Sequence, residues 1–155
     1  MLAGILAGTA APARAQARAT LQPFDAASLA AIKARYIGRP FILALWSVHC
    51  APCLQDMATW RVLAKRFPDI PVVLVATDPP AEHPVVRRTL ERFAPGAAEP
   101  WAFADAFDER NRHSIDPKWR GELPRTYLFD RSHRVEVATG RMDVGTAEAW
   151  CARAR

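Results

Sequence analysis

The chain has 155 residues and a formal net charge of +5, enough for one domain with a real core and too little for several. Half of it is hydrophobic and 24% is charged, which excludes a disordered or collagen-like chain. The densest basic patches are Arg87-Arg88, Arg110 with Arg112, and Arg153 with Arg155. None is interleaved with aromatic residues, so the charge reads as solvated helix faces and no nucleic-acid partner is expected.

Residues 1–17 read as a signal peptide. An apolar run from Leu2 to Ala11 precedes small-residue sites at Ala13-Arg14-Ala15 and Ala15-Gln16-Ala17, the pattern of an exported segment and too short to span a bilayer. Its n-region has no Lys or Arg and reads as truncated. Export would place the cysteines where disulfides persist.

A helix is predicted over 24–36, with Leu29, Ile32 and Tyr36 on one face and Gly38 as its stop. The run 40–46, PFILALW, predicts a strand buried on both faces. A second helix follows over about 52–67, with Leu54, Met57, Leu63 and Phe67 as core positions and Pro68 beyond its end. Residues 71–77 predict another buried strand, and 85–93 a third helix. A short strand at 101–103, a short helix at 108–115 and a loop at 116–121 come next. Strands at 125–130 and 134–138 are joined by a turn at 131–133, and a helix over 146–154 ends the chain. Alternating helices and strands closed by a hairpin describe an α/β domain with a mixed sheet.

Cys50 and Cys53 lie in WSVHCAPCLQD, residues 46–56, where the first long strand gives way to a helix. A structural zinc site needs four ligands. Only one Cys pair is present, Cys151 is distant, and His49, His83, His113 and His133 show no ligand spacing, although His49 is an ambiguous neighbour. A purely structural bridge across so small a loop removes little chain entropy. Redox chemistry is favoured over both. Cys50 adjoins the helix N-cap, where free N–H groups and the dipole favour a thiolate. Pro52 suits the first helical turn, and Cys53 lies one turn inward, as a resolving thiol should.

The segment WSVHCAPCLQDMA, 46–58, resembles the active-site motif of the thioredoxin superfamily, specifically the TlpA/ResA-like exported thiol–disulfide oxidoreductases. GELPRTYLFD, 121–130, resembles that family's cis-proline strand. The resemblance covers residues 22 to 154 and implies a thioredoxin-like fold over 18–155, with a central mixed β-sheet flanked by helices. It makes Cys50 the attacking nucleophile and Cys53 the resolving thiol. Pro124 becomes the cis-proline beside the disulfide, and the Leu123 backbone pairs with substrate chain. Trp46 packs beside the disulfide, and His49 and Pro52 border the substrate.

Asp56 stands i+3 from Cys53, where the family carries an acid. A partly buried carboxyl there exchanges a proton with Cys53; the alternative is a solvated surface acid, Asp being too short to reach the thiol. Ala44 occupies the place of the buried Asp of cytoplasmic thioredoxins, which leaves Asp56 as the only acid candidate in the local sequence. Two departures are notable. His49 replaces an aromatic residue before the first Cys, and either tunes Cys50 or faces solvent and partners. Arg125 replaces a Thr after the proline, as a docking charge or a strand-edge residue. Cys151 reads as a small buried hydrophobe, with an intermolecular disulfide as the alternative.

The resemblance implies a monomer working in the periplasm as a reductant, without organic cofactor or metal. Its partners would be protein thiols and disulfides, such as apocytochrome c or copper-site proteins, and an upstream membrane disulfide reductase that resets it. Two alternatives stand beside it. One is a Cu(I)-handling module using Cys50, Cys53 and His49, since thiolates select that ion; the other is a redox-inactive binding domain.

Overall fold

Two runs of apolar residues, 41–46 and 72–76, have no polar face to offer water, and both become central strands. The computed structural model describes residues 20–93, 96, 98–106 and 108–155; the expected signal peptide, 1–17, lies outside the described residues. Six strands form one mixed sheet: β1 (Gln22–Phe24), β2 (Phe41–Trp46), β3 (Val72–Ala76), β4 (Glu99–Phe103), β5 (Arg125–Phe129) and β6 (Val135–Thr139). Their order across the sheet is β1-β4-β3-β2-β5-β6. The first four run parallel to one another, while β5 is antiparallel to both β2 and β6.

Every residue of β2 and β3 is buried, because helices cover both faces. They are α1 (Ser28–Arg35), α2 (Ala51–Arg66), α3 (His83–Phe93), α4 (Asp108–Ile115) and α5 (Val144–Ala154). Strand alternation divides the core in two. Ile42, Ala44 and Trp46 join Cys53, Met57, Trp60 and Leu63 of α2, Val86 of α3 and Trp150 and Cys151 of α5 on one face. Phe41, Leu43 and Leu45 join Phe24, Ile32, Tyr36, Trp119 and Tyr127 on the other. There the Phe41 and Phe129 rings stack at 4.5 Å, a contact worth about 0.5–1.5 kcal/mol beyond the area it buries.

The predicted elements are present, with differences at their edges. Residue 24 does not begin a helix. Gln22, Pro23 and Phe24 pair with Trp101, Ala102 and Phe103 as an edge strand, and Phe24 is fully buried against the Trp101 and Phe103 rings. The helix starts at Ser28, after a turn in which the Asp25 carboxylate accepts from the Ser28 hydroxyl and the Ala27 N–H. Gly38 then takes a left-handed φ of 72°, which a glycine adopts without strain. Helix α3 begins at His83, two residues earlier than predicted, preceded by a 3₁₀ turn over Pro80–Glu82 that the sequence did not suggest. Strand β4 extends back to Glu99. Helix α5 begins at Val144, capped by Asp143, whose carboxylate accepts the Thr146 N–H at 2.9 Å.

Topology gathers several chain segments at one end of the sheet. The parallel strands β2 and β3 end together at Trp46 and Ala76. Strand β5 starts beside them, with Arg125 opposite Leu45, so Pro124 enters level with Trp46. The loop between β2 and α2 therefore opens between the exit of β3 and the entry of β5. No helix among the described residues is long and apolar enough to cross a membrane.

Candidate redox site

Cys50 is the N-cap of α2, with extended backbone (φ −99°, ψ 92°). Its carbonyl accepts the Leu54 N–H and its Sγ accepts the Cys53 N–H at 3.2 Å. Pro52 sits in the first turn, where its missing N–H has no partner to lose. Cys50 and Cys53 form a disulfide. The two cysteines differ in burial: Cys50 is partly exposed, while Cys53 is 1% exposed and belongs to the core beneath the sheet end. On reduction, Cys50 is the thiol that a large partner can reach, and a thiolate there faces a helix N-terminus.

The Leu123–Pro124 peptide bond is cis. Pro124 is buried, and its carbonyl accepts the Gly140 N–H at 2.8 Å. Leu123 is half-buried against both core clusters. Trp46 is 2% exposed, in the cluster that contains Cys53, so it lies under the surface rather than on it.

Arg125 is neither a free docking charge nor a plain edge residue. Its guanidinium donates to the Asp116 carboxylate at 2.7 Å, the Tyr127 hydroxyl at 2.7 Å and the Thr139 hydroxyl at 3.0 Å. This clamp ties the strand that follows Pro124 to the loop before it. Burial pushes the Tyr127 phenol up to about 12, so it stays a neutral member of the clamp.

Asp56 is 1% exposed, on the inward face of α2. Burial raises its carboxyl above the ordinary value, against the opposing pull of the Met142 N–H and the Arg141 guanidinium. Oδ2 accepts the Met142 N–H at 3.1 Å, and Oδ1 lies 3.4 Å from Arg141 Nε. The acid is therefore anchored to the loop between β6 and α5.

Asp56 is not the only buried acid near the disulfide. Asp78, just past the end of β3, is 3% exposed. Its Oδ1 accepts the Ser47 hydroxyl at 2.8 Å, and both oxygens share the Val48 N–H. Burial raises this carboxyl too; Ser47 and Val48 oppose the shift, and the nearby Glu82 charge adds to it. Ser47 is the hub of the loop. Its Oγ accepts the His49 N–H at 3.1 Å and its carbonyl accepts the Cys50 N–H at 3.1 Å. The exposed His49 ring meets Glu82 at 2.8 Å.

Nothing in the local motif points to Asp78, which lies 31 residues from Ser47. The available signal was its place at the carboxyl end of a parallel strand beside β2, where α/β sheets gather their functional groups. Cys151 is a free thiol, fully buried in α5, and burial pushes it up to about 11. It is an inert core residue, and no partner can reach it for an intermolecular disulfide.

A mixed sheet flanked by helices, a CxxC at the first turn of the helix after β2, and a cis-proline before the antiparallel strand define a thioredoxin-like fold that carries a Cys-x-x-Cys pair. Solved structures share this architecture. A thiol:disulfide interchange protein of the thioredoxin family from Chlorobium tepidum is 18% identical, with a TM-score of 0.65 over 79% of this chain and 83% of its own. A secreted Mycobacterium tuberculosis disulfide oxidoreductase homologous to E. coli DsbE is 14% identical, with a TM-score of 0.63 over 77% and 85%. A DsbF homologue from Corynebacterium diphtheriae is 15% identical, with a TM-score of 0.65 over 78% and 75%. No protein-family model matches the sequence, and no curated protein matches it.

Proposed function

We propose that the protein is a thiol–disulfide oxidoreductase acting on protein disulfides. The observation that carries this reading is the asymmetric Cys50–Cys53 disulfide, with one cysteine partly exposed at a helix N-cap and the other buried one turn inward. A disulfide closing so small a loop adds little stability, whereas this asymmetry is what a two-step exchange requires.

In the reducing direction the Cys50 thiolate attacks one sulfur of a substrate disulfide. A Cys50–substrate bond forms, the substrate S–S bond breaks, and the departing sulfur takes up a proton. Cys53 then gives up its proton and attacks Cys50 Sγ, expelling the second substrate thiol. Two electrons pass to the substrate, whose disulfide becomes two thiols, and the Cys50–Cys53 disulfide is restored. Asp56, buried on the same helix face, is the base that takes the Cys53 proton. Leu123 and Pro124 border the bound substrate with His49 and Pro52, and the Leu123 backbone pairs with the substrate chain. Trp46 supports the loop from beneath.

We place this activity outside the cytoplasm, with residues 1–17 as the export signal. The pattern of that segment supports this, as does the secreted character of the structurally similar Mycobacterium tuberculosis oxidoreductase. There the protein acts as a reductant of protein disulfides, apocytochrome c and copper-site proteins among them, and is reset by a membrane disulfide reductase. The direct test is insulin reduction driven by dithiothreitol. The protein is expected to accelerate precipitation of the insulin B chain above the dithiothreitol background, and a rate equal to background overturns the proposal.

A further inference from the structure

The loop that presents Cys50 also carries a second cluster, made of none of the cysteines. His49 comes from that loop, Asp78 from the end of β3, and Glu82 from the 3₁₀ turn before α3. Their ligand atoms (one imidazole nitrogen and two carboxylate oxygens) all lie within 4.8 Å of one another, and among the described residues no other group of three His, Cys, Asp or Glu does this.

The cluster has a floor, a rim and a support. Asp78 is the floor, almost wholly buried. Its Oδ1 is engaged by the Ser47 hydroxyl, while Oδ2 shares only the longer Val48 N–H bond at 3.2 Å, which leaves lone-pair directions open. His49 and Glu82 form the rim, with side chains 72% and 35% exposed, and they give a path from solvent. Ser47 supports both sides, donating its hydroxyl to the Asp78 carboxylate and accepting the backbone N–H of His49. The first bond holds a ligating carboxylate in orientation, and the second fixes the loop that carries His49.

The charges are arranged for a cation. Two carboxylates, one of them out of water, converge on one imidazole, and a dication bound there with neutral imidazole balances them. We propose that His49, Asp78 and Glu82 form a site for a borderline divalent cation of the Zn²⁺ class, beside the redox disulfide and independent of it. One nitrogen and two oxygen ligands suit Zn²⁺ or Co²⁺ and are a poor match for Cu(I), which selects sulfur. The ion takes the place of the hydrogen now joining His49 Nε2 to Glu82 Oε2. That exposed pair contributes little to stability, so exchanging it for a metal costs the fold little.

The test uses the full chain with its disulfide intact and, in parallel, the Cys50→Ser/Cys53→Ser protein. Each is titrated with Co²⁺, read by its visible absorption, and with Zn²⁺, read by calorimetry. One equivalent is expected to bind to both. His49→Ala, at an exposed position, and Glu82→Gln, an isosteric change at a half-exposed one, should each weaken binding more than tenfold. Ser47→Ala should weaken it by roughly 10–100-fold through the lost support. The proposal is overturned if neither ion binds, if binding survives in the His49→Ala/Glu82→Gln protein, or if it disappears with the cysteines. Because the readout involves no thiol, it separates from the oxidoreductase reading: a redox-inactive protein that binds Zn²⁺ refutes only the latter.

Discussion

Serine at Cys50 is expected to reduce disulfide exchange to the uncatalysed background, and serine at Cys53 to leave the first step intact and block the second. The difference follows from access. Cys50 is the partly exposed cysteine, the one a protein substrate can approach, and Cys53 is 1% exposed. Without Cys50 no mixed disulfide forms, and the loss should exceed about a thousandfold, as when a nucleophile is removed from a covalent enzyme. Without Cys53 the Cys50–substrate bond forms and persists, so a stable adduct should be visible by non-reducing electrophoresis and mass spectrometry. Equal adduct yields from the two variants, or an adduct on Cys53, would contradict the assignment of roles. Neither substitution should unfold the protein, because so short a bridge contributes little to stability.

The second large effect is expected at Asp56. Loss of a positioned acid–base group costs about 10²–10⁴-fold, and here the loss should fall on the resolving step, where Cys53 must lose its proton. Asp56→Asn should slow the decay of a preformed Cys50 mixed disulfide while leaving its formation nearly unchanged, and should move the pH profile of that decay. An unchanged decay rate and profile would make Asp56 purely structural.

Stability supplies an independent reading of the same residue. Burial raises the native carboxyl above the ordinary value, so just above that value the native state holds a proton that the unfolded chain has lost. Stability therefore falls as pH rises from the ordinary carboxylate range to the native value. Asparagine removes this fall while keeping an acceptor for the Met142 N–H. The stability of Asp56→Asn relative to wild type should thus increase from pH 4 to pH 7 in urea titrations; a pH-independent difference would show that burial does not raise this carboxyl.

Much of this architecture is legible in the sequence because its signals are local. The apolar runs at 41–46 and 72–76 are buried strands for lack of any polar alternation. Cys50-Ala51-Pro52-Cys53 announces a strand-to-helix turn through its proline. What escapes the sequence is held from a distance. Strand β1 has three residues, one of them proline, and exists only because β4, about 79 positions later by register, offers it an edge. Asp78 reads as the first residue of a proline-rich loop, and only the parallel pairing of β2 with β3 brings it under Ser47. Glu82 meets His49 because the turn over Pro80–Glu82 folds back toward the loop. His49 had two readings, as a tuner of Cys50 or a solvent-facing contact; the structure supplies a third element, its partner Glu82.

The proposed function requires Cys50 and Cys53 to be a reversible redox couple and not a structural staple. Equilibration in glutathione and dithiothreitol buffers, with the thiols trapped by alkylation and counted by mass spectrometry, tests it most directly. One two-electron transition is expected, within the range of thioredoxin-type couples, about −270 to −120 mV. A disulfide that stays closed until the buffer falls below about −300 mV, as structural disulfides do, would contradict it.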